Sequence, residues 1–194
     1  MNSIISLTIL LILFLTLYFL FKLNKNKVKY HKAEIDGEYY LVRDLADGDK
    51  AAELLGTIKK NILELKNYLM ANIKENEEYK EYIIQLADKI IGVEITESEH
   101  DSIYTSYSVN KGEKLVFCLR SKETNILHDI NLLMYVALHE IAHIGCPEYG
   151  HTELFKKIFA YFVKMGIKIG IYEKIDFEKY PVEYCGLRLS ESII

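Results

Sequence analysis

An α+β domain carried behind one apolar N-terminal helix is the fold class that this 194-residue sequence predicts. Three observations predict it. From Asn2 to Phe21 there is no charged side chain, and Ile4 to Phe21 is almost wholly Leu, Ile and Phe. Turn chemistry at Asp36-Gly37 and at Asn110-Lys111-Gly112, each between β-prone runs, signals hairpins. Four later stretches place apolar residues at helical spacing.

Composition narrows the class further. The chain is 50% hydrophobic and 27% charged, with 10 Gly and 2 Pro. That is too apolar for general disorder and too poor in Gly and Pro for a fibrous chain. A formal net charge of −4 argues against binding nucleic acid through bulk charge, which needs a basic surface. Cys118, Cys146 and Cys185 are odd in number and form no CxxC pair, so no disulfide framework is expected.

The first element is read as a transmembrane anchor over residues 1–21. About 18 residues at about 1.5 Å each give about 27 Å, close to the hydrocarbon thickness of a bilayer. A cleaved signal peptide would carry a positive segment before the apolar run and a small-residue cleavage site after it. A core helix would show a polar face. Lys22, Lys25, Lys27, Lys29 and Lys32 follow the run and none precedes it. The positive-inside rule then holds the C-terminal part in the cytosol, a single-pass arrangement with which unpaired cysteines and the lack of an Asn-x-Ser/Thr sequon agree. Residues 22–32 read as a basic juxtamembrane linker without apolar periodicity.

Residues 33–194 are read as one domain. Ala33 to Arg43 is a hairpin around Asp36-Gly37, and Asp47 to about Asn72 is an amphipathic helix with Ala51, Leu54, Leu55, Ile58, Ile62, Leu65 and Leu69 at helical spacing. A second helix is expected from Glu78 to Ile91, stopped by Gly92. Ile103–Ser108 and Lys114–Leu119 form the second hairpin, giving a small antiparallel sheet. Asn125 or Asp129 can cap the next helix, Ile130 to Ile144, which Gly145 and Pro147 end. Thr152 to about Ile167 is another amphipathic helix. Residues 170–194 carry few clear signals.

The chemistry converges on His139-Glu140-Ile141-Ala142-His143. Positions four apart on a helix share a face, so His139 and His143 can direct two imidazoles at one ion. Zinc takes imidazole nitrogens at about 2.0–2.1 Å, and a catalytic site leaves one vertex to water. Glu140 projects beside that vertex, where a carboxylate can take a proton from the activated water. Two histidines hold zinc weakly, so a third ligand is required. His151, at the start of the next helix, is favoured; Glu148, Glu153, Glu173 and Glu178 are the rivals. The longer pattern HExxHxxGxxH does not fit, since Cys146 and Tyr149 stand at its Gly and His places. Cys118 reads as core and Cys146 as a buried thiol. Tyr184 is a candidate transition-state donor and Cys185 a candidate inhibitory thiolate. His31, His100 and His128 lack partner spacing and are expected at the surface.

His139-Glu140-Ile141-Ala142-His143 followed by Gly150-His151-Thr152-Glu153-Leu154-Phe155 resembles the HExxH…GH-x3-F arrangement of the WLM and SprT-like zinc metallopeptidases. The likeness covers roughly Tyr104 to Ile167. Together with Pro181-Val182-Glu183-Tyr184-Cys185-Gly186 in the tail, it resembles more closely uncharacterised membrane-anchored proteins of large DNA viruses. The resemblance implies a minimal zincin fold, one zinc ion on His139, His143 and His151, and Glu140 as general base. The interval from His143 to His151 is about two residues longer than the family's usual one. The best understood of these relatives act on DNA-linked proteins, but this chain has no basic tail, so that substrate is not carried over.

The expected activity is membrane-tethered, zinc-dependent hydrolysis of a protein or peptide, with Lys114–Leu119 as the strand that receives substrate by edge addition. The alternative is a non-catalytic, zinc-stabilised interaction module at a membrane surface. A DNA-associated protease is a third, weaker reading.

Overall fold

The computed structural model describes residues 2–25 and 28–194 and, within the first helix, the side chains of residues 5–20. That helix, α1, spans Asn2–Lys25. Its large apolar side chains between Ile5 and Leu20 are exposed on every face and pack on nothing described. Residues 5–20 cover about 24 Å at 1.5 Å per residue, short of the roughly 30 Å hydrocarbon core. Among the described residues no helix is long and apolar enough to cross a membrane, so the expected span is not shown.

The folded part begins earlier than expected. Val28–Lys32, assigned above to the linker, forms β1 and pairs antiparallel with β2 (Tyr39–Arg43) across the turn at Gly37. Helix α2 (Gly48–Ala71) follows, with Ala51, Ala52, Leu55, Ile58, Ile62, Leu65 and Leu69 buried along its apolar stripe. A 3₁₀ segment (Ile73–Tyr79) leads into α3 (Lys80–Lys89). The chain then enters β3 (Glu94–Glu97), a strand the periodicity did not signal. β4 (Tyr107–Val109) and β5 (Lys114–Phe117) form the second hairpin, although most of Ile103–Ser108 is loop.

The sheet is five-stranded, in the order β1-β2-β3-β5-β4. It is mixed, which corrects the expected antiparallel sheet: β2–β3 and β3–β5 are parallel, and only the two outer pairs are antiparallel. The physical reason is connectivity. Two helices intervene between β2 and β3, and such a crossover returns a strand in the direction of the first. The order also corrects the expected substrate strand. β5 is paired on both sides and has no free edge; the edge belongs to β4.

Helix α4 (Ile130–Gly145) starts as read, with the Asp129 carboxylate accepting from the Asn131 N–H at 2.8 Å. It is buried on nearly all sides because α2, α3, α5 and β4 surround it. That is why it lacks a polar stripe. Helix α5 (Glu153–Lys168) is capped by Thr152, whose side chain accepts from the Phe155 N–H at 3.2 Å. The tail, read above as having few signals, forms a hairpin of β6 (Val182–Tyr184) and β7 (Leu187–Leu189). Its two-residue turn is Cys185-Gly186, with φ of 52° and 83°. Positive φ at both central residues is the geometry that matches hairpin twist.

Beneath the sheet's end lies a buried ionic cluster. Glu97 accepts the Arg120 Nε–H at 2.8 Å and the backbone N–H of Arg43 at 2.8 Å, while Arg120 also binds Asp47 at 2.7 Å. The Arg120 bond holds the Asp47 carboxyl below its ordinary range. His31 is largely buried, against the expectation: its Nδ1 lies 2.6 Å from Asp49, and a Cβ at Gly48 would meet its ring at 2.6 Å. His128 is also half-buried, whereas His100 is exposed.

Candidate metal centre and cleft

His139 and His143 stand one turn apart on α4, and His151 immediately precedes the Thr152 cap of α5. Their Nε2 atoms form a near-equilateral triangle: 3.1 Å between His139 and His143, 3.2 Å between His143 and His151, and 3.1 Å between His151 and His139. Three nitrogens on a tetrahedral zinc at about 2.05 Å would stand about 3.3 Å apart. The donor set therefore fits a zinc ion in both type and spacing. Among the described residues this triad is the only group of three or more His, Cys, Asp or Glu so arranged. Glu148 and Glu178 are exposed, Glu153 pairs with Lys156 at 2.7 Å, and Glu173 is bound through its backbone to Asn131, so none of the rivals joins it.

One side chain backs all three imidazoles. The Phe155 ring stacks on His143 with centroids 4.0 Å apart and lies 5.0 Å from each of His139 and His151. The helix that positions Phe155 is the one that His151 opens, so the tail of the motif is a packing requirement.

Burial decides the protonation of the site. It lowers His139 to about 3 and His143 to about 4, helped in each case by neighbouring imidazoles. Both are neutral at physiological pH, the form that ligates a metal. The same desolvation pushes the Glu140 carboxyl up to about 8. A divalent cation nearby would favour its ionised form.

The triad and Glu140 open into a cleft of about 430 Å³. One wall is the β4 edge with Ser106 and Ser108, another is Tyr135 and Val136 one turn before His139, and the third is Tyr184, Leu187 and Leu189 of the tail hairpin. Tyr135 and Val136 are not among the candidates that the sequence offers, although helical spacing from His139 points to them. Leu187 and Leu189 had no local signal.

Tyr184 does reach the cleft. It is buried, and its hydroxyl lies 2.5 Å from Ser106 Oγ. Burial raises its pKa well above the ordinary tyrosine value, and the nearby Glu140 adds to that. Cys185 does not face a metal. Its Sγ is bonded to Cys118 Sγ, which corrects both the expected inhibitory thiolate and the expectation of unpaired cysteines. The two are 67 residues apart and meet because the tail hairpin packs across the end of β5. Cys146 is a buried free thiol.

No family model matches the chain. It is 44% identical over 191 residues to the uncharacterised protein R325 of Acanthamoeba polyphaga mimivirus, covering 98% of this chain and 97% of that protein. An 82-residue stretch is 33% identical to the uncharacterised protein 136R of Invertebrate iridescent virus 6, covering 41% of this chain and 44% of that protein. Over 83 residues the chain is 35% identical to the uncharacterised protein 042R of Invertebrate iridescent virus 3, covering 42% of this chain and 50% of that protein. Among solved structures, the crystal structure of Wss1 from Saccharomyces cerevisiae aligns with a TM-score of 0.48 and 20% identity, over 66% of this chain and 87% of that one.

Proposed function

The chain belongs to the family of the mimivirus protein R325, and from that premise we propose that it is a zinc-dependent peptide hydrolase tethered to a membrane by α1. The observation that carries the catalytic reading is the Nε2 triangle of His139, His143 and His151 opening, with Glu140, into one cleft. His139, His143 and His151 would hold the zinc ion, which would supply Lewis acidity to a water or a substrate carbonyl in the cleft. Glu140 accepts a proton from the attacking water and returns it to the leaving amine. The β4 edge offers unpaired backbone groups to an extended peptide lying along the cleft, which is why a peptide is the proposed substrate. Tyr184, through its hydroxyl on the cleft wall, is the proposed donor to the developing oxyanion. A zinc-stabilised interaction module has no use for a buried carboxylate in that position, and this favours hydrolysis over it.

The tether rests on the uncharged, mostly apolar run from Ile4 to Phe21 and on the exposure of its described side chains. The lysines after the run support a cytosolic side for the domain. The Cys118–Cys185 bond favours a second reading, with the domain in an oxidising compartment. Protease protection of sealed vesicles carrying the full chain separates the two orientations.

The test of catalysis is the full chain in detergent with a peptide library. The unsubstituted protein should bind one zinc and cleave; Glu140→Gln should keep the zinc and lose cleavage. Cleavage unchanged in that variant removes Glu140 as the base.

A further inference from the structure

The loop between α4 and α5, residues 146–152, must deliver an imidazole with no strand to hold it, and residues 147–150 are exposed. What holds it comes from the β4–β5 turn. The Lys111 ammonium donates to three successive carbonyls, Cys146 at 2.7 Å, Pro147 at 2.8 Å and Glu148 at 3.2 Å. An ammonium has three N–H donors, and all three are used. The same Nζ sits 4.3 Å from the centroid of the Tyr149 ring. One side chain thus grips four consecutive residues just before Gly150 and His151.

The turn that presents Lys111 is itself unusual. Asn110, Lys111 and Gly112 all have positive φ, of 48°, 52° and 123°. Glycine is required at 112, where a Cβ would meet the Lys89 carbonyl oxygen at 2.6 Å. Asn110 suits the left-handed region and bonds Glu113 at 2.7 Å. Lysine has no such preference, so local turn chemistry does not account for residue 111. Its reach across to the loop does.

We propose that Lys111 is a positioning residue for the third metal ligand: by clamping residues 146–149 it delivers His151 Nε2 to the triangle. The inference rests on the triad being a metal site. Its sign is distinctive, because a positive charge acting only as a charge would repel a bound cation. Removing a charge alone tightens zinc binding; removing a clamp weakens it.

The experiment titrates the full chain in detergent with zinc against a chelating dye, and with cobalt for the ligand-field spectrum. Lys111→Met should weaken zinc binding by about tenfold to a hundredfold, the range for residues that orient ligands, and should change the cobalt spectrum. Its metal-free melting temperature should stay within a few degrees of the unsubstituted chain, and Lys111→Arg should restore most of the affinity. Unchanged or tighter zinc binding overturns the proposal. Should Lys111→Met not fold, Lys111→Gln carries the same test; failure of both to fold overturns it too, because a clamp on one loop leaves the metal-free fold standing. If the unsubstituted chain binds no zinc, it is the metal-site reading that fails.

Discussion

The Tyr184 hydroxyl lies 2.5 Å from Ser106 Oγ, and Ser106 Oγ also accepts the backbone N–H of Cys118 at 3.1 Å. A tail residue is thereby fixed to the loop before the edge strand, on the wall of the cleft that Glu140 lines. On the proposed function, Tyr184→Phe keeps the zinc and leaves KM nearly unchanged while lowering kcat by about 10²-fold, the loss that follows removal of one oxyanion donor. Steady-state kinetics with a metal assay decides it: a variant that loses stability but not kcat assigns Tyr184 to packing.

Glu140 makes stability depend on pH in a definite direction. Its carboxyl is pushed up to about 8 by burial, from an ordinary 4.5. Between those values the metal-free folded chain holds more protons on this group than the unfolded chain does. Its contribution is therefore fully present below about 4.5 and is lost as pH rises through about 8, by at most about 1.4 kcal/mol per pH unit. The depressed imidazoles of His139 and His143 work oppositely, costing stability as pH falls below 6.5. Urea midpoints of chelator-treated protein isolate the carboxyl. The advantage of Glu140→Gln over the unsubstituted chain should grow from pH 5 to pH 8, and a flat difference would contradict the assignment.

The Cys118–Cys185 bond closes a long loop, its ends 67 positions apart in the chain. Chain entropy alone assigns such a cross-link about 4 kcal/mol. Reduction, or Cys185→Ser, should lower the melting temperature and expose residues 182–189 to proteolysis, with loss of the wall formed by Leu187 and Leu189. Limited proteolysis followed by mass spectrometry reads it directly.

Glu97 is the hub of the buried ionic cluster, with the Arg43 backbone N–H and the Arg120 guanidinium both on its carboxylate. Glu97→Ala leaves the buried Arg120 guanidinium with Asp47 alone as its ionic partner and strips Arg43 of its carboxylate, and should cost about 3–5 kcal/mol. Circular dichroism melts of the two proteins at matched pH measure it. A loss under about 1 kcal/mol would mean that water replaces the carboxylate there.

Much of the site was legible because its parts are local. His139, Glu140 and His143 lie within one turn and a half of a helix, and Asp129 and Thr152 cap α4 and α5 as residue type predicts. His151 was legible as the imidazole closest in sequence after the helix stop. The strand β3 was not, since Glu94–Glu97 alternates weakly and is specified by its parallel partners β2 and β5. The tail hairpin was hidden for a related reason: its short strands show themselves only once the Cys185-Gly186 turn and the bond to Cys118 are seen together.

By itself, then, the sequence determined the elements whose signal repeats within a few residues: the apolar N-terminal helix, the amphipathic helices, the two hairpin turns and the two imidazoles on one helix face. Tertiary structure decided the mixed strand order that puts β4 rather than β5 at the edge, the pairing of Cys118 with Cys185, and the reach of Lys111 to the loop before His151. The physical reason is range. Helical periodicity and turn preference are written in neighbouring residues, whereas strand partners, disulfides and cross-loop contacts join groups far apart in the chain, and only the packed core brings them within bonding distance.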